Sequence, residues 1–225
     1  MGHLSHLLFP RYCYGCGTDT LNDKDALCIE CSMSLPDTGF FDVVDNPIER
    51  MFYGRVNVHC AGAAFYYTKE SLLQQLLVQL KYKKNPAVGR YLGRHIGLML
   101  QNSNRFNDVD VLVPLPLNEK KEAIRGYNQA AVICEGIAEV WNIPIEKNAV
   151  KRNLFTESQT QKGRTSRWQN MEGVFALNDA SLIEGKHVLL VDDVVTTGAT
   201  LEVCGSVITS VPQTRLSMAT VAWTI

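Results

Sequence analysis

Asp192 and Asp193 stand side by side, and Thr196-Thr197-Gly198-Ala199-Thr200 follows within a few residues. Backbone N–H groups of such a turn, at the start of a helix, can ring a phosphate, and threonine hydroxyls and the helix dipole add to the attraction. Gly198 removes a side chain where the backbone must approach the anion closely. Two adjacent carboxylates would repel that phosphate, so they need another task. Accepting hydrogen bonds from neighbouring ribose hydroxyls is one that suits them. Phosphate beside a diol describes a ribose 5-phosphate. The elements that must position these groups lie on either side. Val188-Leu189-Leu190-Val191 predicts a central parallel strand buried on both faces. Leu201, Val203, Cys204, Val207 and Ile208 have helical spacing, ending near Ser210-Val211-Pro212. The carboxyl end of such a strand is where open α/β sheets bind ligands.

A second constellation is Cys13-Tyr14-Gly15-Cys16, then eleven residues, then Cys28-Ile29-Glu30-Cys31. Each C-x-x-C turn converges two thiolates, and two turns complete a tetrahedral site. The spacing falls just short of the usual zinc-finger ranges. Four-cysteine Zn²⁺ is the expectation, with iron or two disulfides as the alternatives. Four protein ligands leave no open coordination position, so the metal would be structural. Cys60, Cys134 and Cys204 are scattered, and an odd total of seven argues against a complete disulfide framework. Residues 1–50 hold three basic and eight acidic side chains, a net of −5. An acidic ribbon is a poor partner for a phosphate backbone, so it is read as a folding or docking module.

The segment Val188–Thr200 resembles the phosphoribosyl diphosphate (PRPP) signature of type I phosphoribosyltransferases. The plain alternative, a strand–Asp–Asp–loop as in response regulators or metal-dependent phosphatases, does not need Thr-Thr-Gly-Ala-Thr so soon afterwards. The resemblance implies that Asp192 and Asp193 hold the ribose 2′ and 3′ hydroxyls and that Thr196, Thr197, Gly198, Ala199 and Thr200 hold the 5-phosphate. A second strand, Val109 to Leu115, precedes Leu115-Pro116-Leu117 and then Lys120, Lys121 and Arg125. A helix from Ala130 to Trp141 follows. In such enzymes the loop at this position binds diphosphate, making residues 115–118 candidates and Arg125 a nearby charge. A basic, solvated helix start is the competing reading of the 120s. The polar, cationic stretch 151–170 resembles the mobile catalytic loop of the same fold. The match is Lys151-Arg152-Asn153, Thr156, Gln159 and Arg164 or Arg167. Arg125 and Arg152 would then stabilise a leaving diphosphate.

The four cysteines, Leu80-Lys81-Tyr82, Pro114-x-Pro116, Arg125-Gly126-Tyr127-Asn128-Gln129, Arg152…Thr156…Gln159 and the PRPP loop together resemble the ComF competence family, over about residues 10–225. The resemblance implies an α/β fold with a parallel-sheet core, a mobile hairpin loop and a small zinc ribbon. The ribbon is expected over residues 1–45 and the phosphoribosyltransferase-like domain over 46–225. It also implies Mg²⁺ arriving with PRPP. Gly2 stands where larger glutamine amidotransferases of this fold have a nucleophilic cysteine, and no amino-terminal glutaminase domain is expected.

The whole chain, 225 residues with 46% hydrophobic and 20% charged, describes an ordinary globular protein. No stretch approaches the ~18 to 20 apolar residues that span a bilayer. The opening MGHLSHLLFP has no Lys or Arg, so a cytoplasmic protein without a signal peptide is expected. A net charge of −1 argues superficially against a polyanionic ligand. Yet Lys81, Lys83, Lys84, Arg90, Arg94 and Arg105 fall between Ser71 and Asn107 with no acidic residue. Leu72, Leu73, Leu76, Leu77 and Leu80 predict an amphipathic helix ending in Lys81, where a cation also complements the helix carboxyl terminus. Pro86 separates it from a second helix, Ala87 to Gln101. Exposed helix charge is the simple reading. A basic groove for single-stranded nucleic acid, with Tyr82, Tyr91 and Trp168 as stacking residues, is the sharper one.

Two functions remain. One is transfer of phosphoribosyl from PRPP to an unidentified acceptor, with Phe52, Tyr53, Phe65 and Tyr66 as candidates for the acceptor hood or as plain core aromatics. The other, implied by the family resemblance, is a non-catalytic accessory protein handling single-stranded DNA with PRPP as effector. A competence helicase or another DNA-uptake protein would be its partner. Self-association is left open.

Overall fold

The computed structural model describes residues 12–19, 21, 24–153 and 173–224. Its main sheet contains β1 (Cys60–Tyr67), β2 (Val111–Pro114), β5 (His187–Val195) and β6 (Arg215–Thr224), all parallel in the order β1-β6-β5-β2. β3 (Val150–Arg152) and β4 (Phe175–Leu177) form a separate antiparallel pair. The expected mobile-loop residues Thr156, Gln159, Arg164 and Arg167 lie between them, outside the described residues, as does Trp168. Seven α-helices are described, besides a 3-10 turn at Ala180–Leu182: α1 (Ile29–Met33), α2 (Pro47–Phe52), α3 (Leu72–Tyr82), α4 (Pro86–Asn102), α5 (Glu119–Arg125), α6 (Gln129–Trp141) and α7 (Ala199–Thr209).

β5 lies inside the sheet, and its side chains alternate between two cores. Leu189 and Val191 join a cluster with α3, α4 and α6, whereas Val188 and Leu190 join one with α2 and α7. Helices cover both faces, which is why this strand reads as an unbroken apolar run. The helices expected after Gly198, from Leu72 to Lys81, from Ala87 to Gln101 and from Ala130 to Trp141 all form within a residue or two of those limits. The predicted strand Val109–Leu115 contracts to Val111–Pro114, and the 120s form α5, a helix with no buried residue. β1 was not expected, because Cys60-Ala61-Gly62-Ala63-Ala64 lacks the branched apolar signature of a strand. Small side chains suit it, since Phe41 packs directly over Gly62.

Two helices approach unusually closely. A methyl group on Gly93 would collide with the Ile133 carbonyl, and one on Gly136 would collide with the Arg90 carbonyl. Glycine at both positions lets α4 and α6 touch backbone to backbone. Arg90–Glu135 (3.4 Å) and Arg94–Glu139 (3.2 Å) bridge the same seam. The cysteine module is not separate from this core. Leu21, Ala26, Leu27 and Leu35 share a cluster with the leucines of α3 and α4, and Ser32 Oγ lies 3.3 Å from His95 Nε2.

Candidate functional site

β5 carries both aspartates inside the strand, so they point to opposite faces. Asp193 turns toward α3, where Lys81 Nζ lies 3.0 Å from its Oδ2. Asp192 turns toward α7, where burial raises the Cys204 thiol and Asp192 adds to it, and Arg152 acts on both groups in the opposite sense. The Asp193 backbone N–H donates to Asp192 Oδ1 at 2.8 Å. Burial pushes the Asp192 carboxyl up to about 8, and the neighbouring Asp193 charge adds to this. The Asp193 N–H, Lys81 and Arg152 oppose it.

Beyond Val195 the chain turns through exposed Thr196 and Thr197 to Gly198, whose φ of 71° suits glycine. Gly198 begins α7 without a side-chain cap, so no side chain at that position satisfies the first-turn N–H groups. A Cβ at Gly198 would also meet Met51 and Phe52, so α2 buttresses the turn. Arg55 Nη1 donates to the Thr197 carbonyl at 3.2 Å, and the same guanidinium pairs with Glu202 in the first turn of α7. Ala199 and Thr200 complete the turn, partly buried and exposed respectively.

On the other side of β5, the Leu115 N–H donates to the Val191 carbonyl at 2.9 Å. Asn128 fixes this loop twice, donating from Nδ2 to the Leu115 carbonyl (2.9 Å) and accepting the Ala130 N–H (2.9 Å) as the cap of α6. Pro116, Leu117, Asn128, Lys151 and Arg152 line a cleft of about 460 Å³. A second cleft, about 600 Å³, lies beside Arg55 and is lined also by Phe52, Tyr53, His59 and Arg105.

Each expected residue can now be located. Asp192, Asp193, Arg152 and the Thr196–Thr200 turn gather at the carboxyl end of β5. Arg152 also lies over the Phe175 ring at 5.3 Å. Arg125 instead donates to Gln129 Oε1 at 2.5 Å, with its guanidinium 5.8 Å from the Tyr82 ring centroid. Of the four hood aromatics, Phe52 and Phe65 are buried in the core, Tyr53 is exposed, and Tyr66 packs against Phe40 and Trp223. Tyr91 is no stacking residue: it is 3% exposed, on the buried face of α4, with its ring against His95. Arg90, Arg94 and Arg105 pair with Glu135, Glu139 and Glu49, which takes half of the six-cation run out of any open groove. Sequence reasoning missed the tie between Lys81 and Asp193. The signal was present, since a lysine in the last turn of an apolar helix can cap or reach, and spacing does not choose between them.

Cys13, Cys16, Cys28 and Cys31 converge, with all four sulfurs within 4.8 Å of one another. Tetrahedral zinc with ~2.3 Å bonds places its sulfurs about 3.8 Å apart, so the cluster fits that ion. Backbone N–H groups of Gly15 (3.3 Å) and Cys28 (3.2 Å) donate to Cys13 Sγ. Burial alone would raise the Cys13 thiol, but these donors and the Cys16 N–H outweigh it and bring it down to about 6.

A profile of the family described as Phosphoribosyl transferase domain matches residues 130–222. The chain is 31% identical to Competence protein F of Haemophilus influenzae over 133 residues, covering 57% of this chain and 58% of that one. It is 29% identical to DNA utilization protein YhgH of Escherichia coli K12 over 132 residues, 57% of each chain. It is 37% identical to Competence protein ComFC of Bacillus subtilis over 91 residues, 40% of this chain and 35% of that one. The matches thus span little more than half the length of the first two relatives. Among solved structures, the glutamine PRPP amidotransferase of B. subtilis superposes with a TM-score of 0.45 at 20% identity, over 64% of this chain and 30% of that chain. No helix among the described residues is long and apolar enough to cross a membrane. This chain is thus an α/β protein whose residues 130–222 match the phosphoribosyl transferase domain family, and it is similar to competence protein F, ComFC and DNA utilization protein YhgH.

Proposed function

We propose that the chain binds PRPP and transfers its phosphoribosyl group to an acceptor nucleophile. The observation that carries this reading is the pair Asp192–Asp193 at the end of β5, followed at once by an uncapped helix amino terminus opened by Gly198. The carboxyl groups suit a vicinal diol, and the first turn of α7 with Thr196, Thr197 and Thr200 suits the 5-phosphate. In the reaction the C1–O bond to diphosphate breaks, its electron pair leaves with diphosphate, and the acceptor bonds to C1. Arg152 and the Leu115–Leu117 loop stand where they could meet the departing anion. Mg²⁺ entering with PRPP would neutralise diphosphate charge. Cys13, Cys16, Cys28 and Cys31 would hold a structural Zn²⁺ that stabilises the fold.

PRPP with Mg²⁺ should raise the melting temperature of the wild type, and the Asp192→Asn/Asp193→Asn double variant should lose that rise. An unchanged rise in the variant would remove the site assignment. Diphosphate release from PRPP in a metabolite extract then tests transfer. The relatives' names, which speak of competence and DNA utilization, favour a second reading with PRPP as effector of a protein that handles single-stranded DNA. Exposed Tyr82, beside Lys83 and Lys84, is its candidate contact. PRPP stabilisation without diphosphate release in any extract would favour that reading.

A further inference from the structure

Three consecutive residues at the end of α3 are each held by a different part of the site. The Leu80 carbonyl accepts the Tyr127 hydroxyl at 2.6 Å, Lys81 reaches Asp193, and the Tyr82 ring lies under Arg125. Tyr127 and Arg125 belong to the segment leading into α6, so the last turn of α3 is docked from two sides. Lys81 is thereby aimed inward while Lys83 and Lys84, next along the chain, are exposed. Its side chain is 22% exposed and that of Asp193 12%, so the pair is shielded but within reach of a ligand. An ammonium has three N–H bonds. Asp193 takes one, which leaves donors that a sugar oxygen could use.

We propose that Lys81 is a positioning residue for diol recognition: its ammonium orients the Asp193 carboxylate and supplies the counter-charge that lets two adjacent carboxyl groups receive a phosphorylated ribose. The inference rests on the ribose-phosphate reading of the β5 site and deepens it. Capping alone would make Lys81 a general stabiliser of α3, without influence on which sugar binds. Positioning predicts an effect on selectivity between sugars with and without the vicinal diol. Removing one partner of a charged hydrogen bond shielded from water changes recognition by about tenfold or more.

The test is calorimetric titration of the full chain with ribose 5-phosphate and with its 2-deoxy and 3-deoxy analogues. The wild type should prefer the intact diol. Lys81→Met should lose about tenfold of that preference while its affinity for the deoxy sugars changes little, and Lys81→Arg should restore part of it. A Lys81→Met protein that keeps the wild-type preference overturns the proposal, as does uniform weakening toward all three sugars. If Lys81→Met does not fold, Lys81→Gln is read by the same criteria. Wild-type protein that binds none of the sugars overturns the ribose-phosphate reading itself, and the Lys81 role with it.

Discussion

Asp192 stands in an environment that costs the fold stability. Its carboxyl titrates near 8 in the folded chain against an ordinary 3.8, because burial and the Asp193 charge disfavour ionisation. The unfolded chain releases this proton near pH 4 and the folded chain only near pH 8, so folding takes up a proton between those limits. This contribution to stability therefore falls as pH rises from about 4 to about 8. Asp192→Asn removes the cost. Its melting temperature should match or slightly exceed the wild type at pH 5 and exceed it by at least ~2 °C at pH 8. A difference that does not grow with pH would show that Asp192 ionises freely. Lost ligand response with gained stability is the usual signature of a functional residue held at a cost to the fold. The acidic pair and its threonine turn were legible in the sequence because local order alone brings them together. Lys81 was not, since its partner is 112 positions away and only the docking of α3 by Tyr127 and Arg125 decides where it points.

At the scale of elements, legibility followed burial. β5 and the helices α3, α4, α6 and α7 bury branched or periodic apolar faces, and their patterns survive in the one-dimensional order. β1 did not, because it is an edge strand of small residues whose pairing and cover come from far away in the chain. Asn46 shows how: its Nδ2 donates to the Ala61 carbonyl at 2.8 Å, and its Oδ1 caps α2 through the Ile48 N–H at 2.9 Å. The seam between α4 and α6 was likewise unreadable, since glycines on a helix look like weak formers until the facing backbone is known. There Gly93→Ala should be destabilising despite alanine's better helix propensity. Its methyl would meet the Ile133 carbonyl, and overpacking of this kind costs about 1–3 kcal/mol. Arg90→Ala, which removes the more exposed ion pair across the same seam, should cost about 1 kcal/mol or less. Urea unfolding of the two variants checks the order. An Arg90 variant weaker than the Gly93 variant would mean that charge rather than close approach holds the helices.

Across the whole molecule, opposite charges far apart in sequence are brought together in pairs. The basic run between residues 71 and 107 is matched by Asp193, Glu135, Glu139 and Glu49 brought from other elements, and sequence order could not reveal those partners. The acidic cysteine module is similarly drawn into the main body. Gly15 lies against Leu72 at the start of α3, the Asn85 side chain bonds the Tyr14 hydroxyl, and Arg94 bonds the Lys24 carbonyl. One hydrophobic cluster runs from Cys13 and Leu27 through α3 and α4 to β5. The compositional boundary near residue 45 is thus crossed by a continuous core, and the four-cysteine cluster and the proposed diol site stand at opposite ends of α3. Loss of the metal should therefore unsettle more than the amino terminus. Cys28→Ser should release bound zinc and lower the melting temperature of the chain in one transition, because no separate core remains to melt alone. Metal content by mass spectrometry and a calorimetric scan test both parts. Normal zinc content would contradict the four-cysteine site, and an early transition followed by an unshifted main one would show that the module folds independently of the sheet.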